Sequence, residues 1–467
     1  MTWTRRRFLV SGGAGAAMAA WGMTACSDDE ADDGTADPGE RAVPDPEAFL
    51  VTRWHEDRWS FGSYSYLAVG ATPEDRRALA APMGDVVFWA GEATEVDEPS
   101  TVHGALLSGW RAADEVAEAR DEGASVVVVG AGASGLAAAQ QLAEAGFDVQ
   151  VLEARERIGG RVWTEDLDGT PVDLGASWVH GTDGNPAAEL ADEAGAELST
   201  TDEDDLVLYG PDGFEVPEER SEAAYARVEA SLEAAAAATE ERDDDVSLGE
   251  LVDEHLAAQD LADEDARLVR HGVRSVVEHE YAADLDELSA FQHPEGVGFD
   301  GDDAVVVGGY LRVVEQLADG FPIRFRAAVE AVAWGEDGVT LSLQDHEVVE
   351  ADAVVVTIPL GALQAFPLDF DPPLPDDKQN AIDRLGMGTL DKVVLRFPEV
   401  FWDDTDFIGF VNPEGGAFTE WLNLEPATGQ PILVGFTAGS AARDLETLSD
   451  EATVDQALDA LRTIYED

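Results

Sequence analysis

The stretch SVVVVGAGASGLAAAQQLAEAGFDVQVLEARERIGGR, residues 125–161, decides the fold. An unbroken apolar run from Ser125 reads as a strand buried on both faces. A glycine turn, an amphipathic helix and a second strand ending in an acid follow it. Gly130, Gly132 and Gly135 let the chain turn tightly, let backbone approach a pyrophosphate, and let the helix pack close on the strand. The helix N-terminus, with Ser134, faces the anion. Glu153, 18 residues after Gly135, is placed to accept hydrogen bonds from a ribose. Strand, loop, helix and distal acid together predict a dinucleotide-binding, doubly wound (Rossmann-like) α/β domain.

The surrounding chain is long and acidic. Its 467 residues suffice for two or three lobes, but 28 Lys and Arg stand against 98 Asp and Glu, a formal net charge of -70. The acids are spread through the sequence, so the pattern predicts a solvated surface adapted to high salt, where self-repulsion is screened. Nucleic acid is excluded as a partner. The N-terminus, MTWTRRRFLVSGGAGAAMAAWGMTAC (1–26), has a twin-arginine start and a weakly apolar run too short and Gly-rich to span a membrane. It resembles a Tat export signal, and MTAC resembles a lipobox. Lipidation of Cys26 would anchor the exported chain to the outer face of the membrane; cleavage without lipid would release it. Cys26 is the single cysteine, so the body holds no disulfide, thiolate metal site or cysteinyl cofactor link. Residues 27–43 read as an acidic tether.

ERIGGRVWT after the acid resembles the FAD signature of the flavin-containing amine oxidase superfamily. The resemblance extends through VDLGASWVHG (172–181), VVVGGYLRVVEQLADGFPIRFRAAVEAV (305–332), ADAVVVTIPLGAL (351–363) and LGMGTLDKVVLRFPEVFW (385–402). It implies that Arg155, Gly159, Gly160, Arg161 and Val329 join the glycine loop in holding FAD. It also implies a mixed α+β substrate domain beside the FAD domain.

The family's ending stands in front of its beginning. GSYSY (62–66), FWAGEAT (88–94) and TVHGALLSGWRAA (101–113) resemble the C-terminal part of polyamine oxidases and flavin-dependent histone demethylases, yet precede the glycine loop. The chain runs to LDALRTIYED (458–467), after which relatives continue into a region like TRW…GSYSY. The order predicts a circular permutation. In a doubly wound sheet, a helix that starts at the cofactor ends where the first strand begins, so RDEGA (120–124) can close the junction. Fusion of two truncated neighbouring relatives is the alternative. The expected organisation is 44–82 in the substrate domain, 83–185 in the FAD domain, 186–296 a helical part of the substrate domain, 297–365 in the FAD domain, and 366–467 in the substrate domain.

Lys392 interrupts an otherwise apolar strand, either as an edge residue snorkelling to water or as a buried amine. The resemblance implies the second, with the lysine holding a water against the flavin and assisting reaction with oxygen. Tyr64 and Tyr66 alternate along an extended stretch and are expected to share a face, either both in the core or with Tyr64 as an aromatic wall of the amine site. Trp54 and Trp59 read as packing. Ser63 lies where monoamine oxidases carry their flavin-linking cysteine, which implies non-covalent FAD. Glu92 is expected to contact FAD, and Thr101 and Val102 to offer backbone amides to its carbonyl edge. His180 and His103 are each either a satisfied polar group between lobes or part of the substrate site. No His, Asp and Glu set has metal-ligand spacing, so no metal is expected. The expected activity is oxidation of an amine C–N bond to an imine with O2 reduced to H2O2, polyamines favoured. The rivals are an L-amino-acid oxidase and a flavin-binding protein without turnover.

Overall fold

The computed structural model describes residues 42–466 except 367 and 414. The twin-arginine start, Cys26 and nearly all of the tether lie outside the described residues. Among the described residues no helix is long and apolar enough to cross a membrane.

The valine run from Ser125 becomes the middle strand of a five-stranded, wholly parallel sheet. Its order is Ile323–Arg324, Asp148–Leu152, Ser125–Val129, Ala353–Val356, Val87–Trp89. The run is apolar throughout because both faces are covered. Val126 and Val128 pack on one side against Leu106, Ala112 and Leu136 from two helices, Val102–Ala119 and Ala133–Glu144. Val127 and Val129 pack on the other against Leu79, Val332, Leu341 and Ile382. The layer behind that second face includes a four-stranded sheet, Val348–Ala351, Gly338–Leu343, Val329–Gly335 and Asp369–Asp371. This is the doubly wound domain that the opening stretch predicts.

A second sheet of six strands faces it across a cleft, in the order Ala48–Val51, Leu390–Arg396, Ile432–Ala438, Glu420–Asn423, Phe407–Phe410, Leu206–Tyr209. Strand alternation divides its residues. Val393, Leu395, Trp421 and Leu433 pack with the helix Asp450–Tyr465. Val394, Leu422, Val434 and Phe436 turn the other way, towards Leu174 and Val305. Beside this sheet, the helices Glu218–Thr239, Leu248–Ala257 and Asp263–Val273 enclose a third core. The acidic 190–295 stretch thus supplies a helical lobe.

Residues from in front of the glycine loop are built into both sheets. Val87–Trp89 closes an edge of the parallel sheet against Ala353–Val356, and Ala48–Val51 closes an edge of the six-stranded sheet against Leu390–Arg396. The helix Val102–Ala119 lies against Ala133–Glu144 so closely that a Cβ added at Gly109 would sit 2.2 Å from the Ser134 carbonyl oxygen and 3.0 Å from the Ala137 Cβ. No side-chain rotation relieves a clash with backbone, so the two helices must part. Gly109→Ala should therefore destabilise the protein by about 1–3 kcal/mol, as overpacking does, read as a lowered Tm. An unchanged Tm would show that this helix contact does not need the glycine.

Candidate active site

A cleft of about 700 Å3 runs between the two sheets. One end is built from the glycine loop. Gly130 takes φ +114, open to glycine at little cost, and a Cβ at Gly135 would lie 2.0 Å from the Gly130 oxygen. At Gly132, by contrast, a Cβ would meet nothing nearer than 3.9 Å. Gly132, Ser134 and Gly160 border the cleft, where the helix Ala133–Glu144 begins. Glu153 is buried and uses one oxygen on the Ala131 amide and the other on the Arg155 amide, each at 2.7 Å. That fixes the carboxylate at the cleft wall with lone pairs to spare for ribose hydroxyls. Val329, Ala328 and Gln344 line the same end. Open glycine backbone, a helix N-terminus and an anchored acid together fit a dinucleotide.

The two arginines expected there are used differently. Arg155 makes a two-bonded pair with Asp57, at 2.8 and 2.7 Å, and a bond to Ser60 Oγ at 2.9 Å. It ties the glycine-loop domain to the front segment while still bordering the cleft. Arg161 donates from Nη1 to Glu92 at 2.7 Å and to the Ser63 carbonyl at 3.0 Å. Glu92 also accepts from Ser65 Oγ at 2.6 Å and from the Ser100 amide at 3.2 Å. Burial alone would push its carboxyl up, but Arg161, Arg76 and Ser65 outweigh burial and hold it below the usual carboxylate range. Arg76 continues the network to Ser65 and to the buried Glu295. Thr101 caps its own helix by accepting from the Gly104 amide at 2.9 Å, and it lines the cleft with Val102.

The other end of the cleft rests on the six-stranded sheet. Lys392 is buried, and its Nζ donates to the Gly175 and Asp173 carbonyls and to Ser177 Oγ. The snorkelling reading is therefore removed. Burial lowers its pKa to about 8, against the raising effect of Asp173. Phe436 lies opposite Lys392 on the next strand and Glu420 opposite Phe436 on the strand beyond, so the three form one row on the cleft face. Tyr64 lines the cleft and donates to the His279 carbonyl at 2.6 Å. Tyr66 packs in the core of the helical lobe. Trp54 and Trp59, expected as packing, both border the cleft.

His180 pairs with Asp303 at 2.8 Å, stacks on Trp178 and faces the cleft. His103 is buried between Glu98 at 3.0 Å and Asn185 at 3.2 Å. His279, 3.6 Å from Glu420, was not singled out by sequence, nor were Glu203, Glu280, Glu295 and Ser177, which share the lining. Glu420 opens the buried strand Glu420–Asn423 directly before the apolar Trp421 and Leu422, a signal present in FTEWLN. Among the described residues, no three His, Cys, Asp or Glu side chains gather as a metal site.

A family model described as "Flavin containing amine oxidoreductase" matches residues 9–117 and 133–467. The chain belongs to that family. A model for pyridine nucleotide-disulphide oxidoreductases also matches residues 67–170. This amine oxidoreductase is 35% identical over 360 residues to polyamine oxidase 4 of Oryza sativa subsp. japonica, covering 73% of each chain. It is 36% identical to polyamine oxidase 2 of Arabidopsis thaliana, with the same coverage. It is 34% identical to the Arabidopsis thaliana lysine-specific histone demethylase 1 homolog 2, covering 73% of this chain and 47% of that one. Among solved structures, wild-type putrescine oxidase bound to putrescine superposes with a TM-score of 0.55 at 22% identity, over 73% of this chain and 82% of that one. The amine oxidoreductase is a flavin enzyme acting on CH–NH groups.

Replacing Arg161 removes a bonded partner from a buried carboxylate. Arg161→Met should destabilise the protein by about 3 kcal/mol and lower the ratio of flavin to protein absorbance after gel filtration. Because Glu92 is more acidic in the fold than unfolded, its contribution is complete above about pH 4.5 and is lost as pH falls through its depressed folded value. The acid limb of a stability–pH curve should therefore flatten in Arg161→Met. An unchanged limb and full flavin content would contradict this role.

Proposed function

We propose that this amine oxidoreductase is an exported polyamine oxidase with non-covalent FAD, its family segments running in rotated order. The observation that carries the substrate choice is the row Lys392–Phe436–Glu420. Two interstrand spacings of roughly 4.8 Å separate the buried amine from the carboxylate by about 10 Å along the cleft. An amine seated against Tyr64 near Lys392 would extend past Phe436, so that a second, cationic nitrogen reaches Glu420. Glu203 and Glu280 border the same cleft. An L-amino acid would instead call for a cation facing its carboxylate, and the substrate end is rich in acids.

The bound flavin supplies the chemistry that accepts a hydride equivalent from the substrate carbon and passes two electrons to O2. The chain's part is to bind, orient and manage protons. Tyr64 is held by its bond to the His279 carbonyl, which fixes its ring as a wall. Phe436 covers the middle of the cleft and keeps water from it. The carbon beside nitrogen gives up hydride only when that nitrogen is neutral, so turnover should rise with pH as the bound amine loses its proton. Imine hydrolysis and H2O2 complete the reaction. Non-covalent binding is supported by Ser63, whose hydroxyl exchanges bonds with Leu390 at 3.0 and 2.8 Å.

Rotated order is supported by the edge strand Val87–Trp89, by the five-residue link 120–124, and by the meeting of distant residues at the other junction. The Val43 amide donates to Glu466 at 3.1 Å, and Val43 shares a core with Ile464 and Tyr465. Export and an acidic, salt-adapted surface rest on the twin-arginine start and the charge of -70. High salt shrinks the Debye length to roughly 3 Å at 1 M, so polycation binding must come from contacts inside the cleft.

The test is peroxide release in high salt with spermine, spermidine, a monoamine and several L-amino acids, across pH. Polyamines should be oxidised, and acid precipitation should leave the flavin in the supernatant. Glu420→Gln should raise KM for polyamines by about 10–100-fold, the worth of one hydrogen bond to a charged group, with little change for the monoamine. Lys392→Met should keep flavin and slow reoxidation on the order of 100-fold. Activity confined to L-amino acids would overturn the substrate choice, and no flavin reduction by any substrate would favour the non-catalytic reading. For the segment order, a chain running from Ala124 to Asp467 and on from Pro44 to Arg120 should fold and bind flavin; a soluble, flavin-free product would refute the equivalence.

A further inference from the structure

Lys392 is held by three acceptors that are not equivalent. An ammonium has three N–H donors, and Lys392 directs them at the Asp173 carbonyl (3.2 Å), the Gly175 carbonyl and Ser177 Oγ (2.6 Å). A neutral amine has only two N–H donors and one lone pair that must accept. When Lys392 loses its proton, one of the three contacts must reverse direction. Two are carbonyl oxygens and cannot donate. The Ser177 hydroxyl can.

Ser177 also borders a second, smaller cavity of about 30 Å3 behind the Lys392 wall. Phe436 shares both cavities. Its lining includes Asp173, Gly308 and Gly309, and the neighbouring Tyr310 amide donates to the Asp173 carboxylate at 3.0 Å. Thr164 Oγ1 donates to the same carboxylate. The space suffices for one water, which needs roughly 10–15 Å3, and hydroxyl and carboxylate give it polar partners. Burial lifts the Asp173 carboxyl to about 6, against the bonds from Thr164 and Tyr310 and the charge of Lys392.

The geometry points to Ser177 as the proton gate of Lys392: the hydroxyl through which the buried amine loses and regains its proton, by way of a rear water site bounded by Asp173 and apart from the substrate cleft. In the outward step an N–H bond of Lys392 breaks as an O–H bond forms on Ser177. The original Ser177 proton passes to the water, and a proton of that water passes to the Asp173 carboxylate. The sum is ammonium plus carboxylate giving amine plus carboxylic acid, with no change in net charge or oxidation state. The new Ser177 O–H then points back at the Lys392 lone pair. Other titratable groups of the region are His180 with Asp303, and His279 and Glu420 beyond Phe436; Asp391 bonds to Thr52 and the Trp54 amide.

Ser177 acts through Lys392 and is a positioning residue, so its test needs a readout that simple destabilisation does not move. In flavin-loaded protein, acetylation of Lys392 by a small anhydride, followed by peptide mass spectrometry from neutral to alkaline pH, reports the fraction of neutral amine. The wild-type midpoint should lie near 8. Ser177→Ala removes an acceptor from the charged form, whose hydrogen bonds are worth more than those of the neutral form. The midpoint should fall by about one unit. Stopped-flow reoxidation in H2O and D2O should show a larger solvent isotope effect in Ser177→Ala, and Ser177→Thr should restore both values. Should the alanine variant not fold, Ser177→Cys, with a weak donor of similar size, takes its place and should fall between. An unchanged midpoint and isotope effect would overturn the gate. The proposal rests on Lys392 working at the reaction site, but the acetylation readout does not need turnover. A shifted midpoint in an enzyme that oxidises no amine would keep the gate and refute the proposed function.

Discussion

A carboxylate taken out of water must be compensated, and Glu92 is compensated from separate parts of the chain. Arg161 comes from the loop after the second strand of the glycine-loop unit, Ser65 from the front segment, and the Ser100 amide from the turn into the long helix. Arg76 adds a second cation through Ser65 and passes the network on to Glu295. Remove the network and a buried negative charge is left uncompensated beside the cleft. The wall of the cleft where Arg161, Ser63, Ser100 and Glu92 meet depends on that compensation.

The lysine wall shows the opposite solution. Lys392 has no ionised side chain bonded to it, only carbonyl and hydroxyl oxygens. Its charge is tolerated and not neutralised, so it stays within reach of a proton exchange near neutral pH. An arginine in the same cage would remain charged throughout. The two ends of the cleft therefore divide the electrostatic work, one with fixed, paired charges beside the glycine loop and one with an adjustable charge on the six-stranded sheet.

Sequence reveals backbone requirements and isolated anomalies well. Gly130, Gly132 and Gly135 announce the parallel sheet because spacing and flanking strands leave few other uses for them, and Lys392 stands out as a cation directly before the apolar run Val393, Val394 and Leu395. It reveals much less about Arg155, whose side chain turns to Asp57 in the front segment, since that pairing exists only after two remote pieces meet. The acids of the substrate end are hidden for a different reason. With 98 Asp and Glu in the chain, Glu203, Glu280 and Glu295 look like the solvated surface around them, and only their place in the cleft lining separates them. Ser177 gives no signal at all, as its importance lies in which of three acceptors can also donate.

The edge strands carry a consequence for how the chain reaches its native state. Ala48–Val51 finds its partner only at Leu390–Arg396, and Val87–Trp89 only at Ala353–Val356. During synthesis the front of the body must wait, its apolar strands unpaired, until most of the chain has emerged. Contacts of such sequence separation are slow to form, and unpaired edges are prone to associate with other chains while they wait. A dense negative charge on every nascent copy opposes that association by mutual repulsion. The acidity thus guards the interval before the sheets close, and it guards it least where salt screens it most.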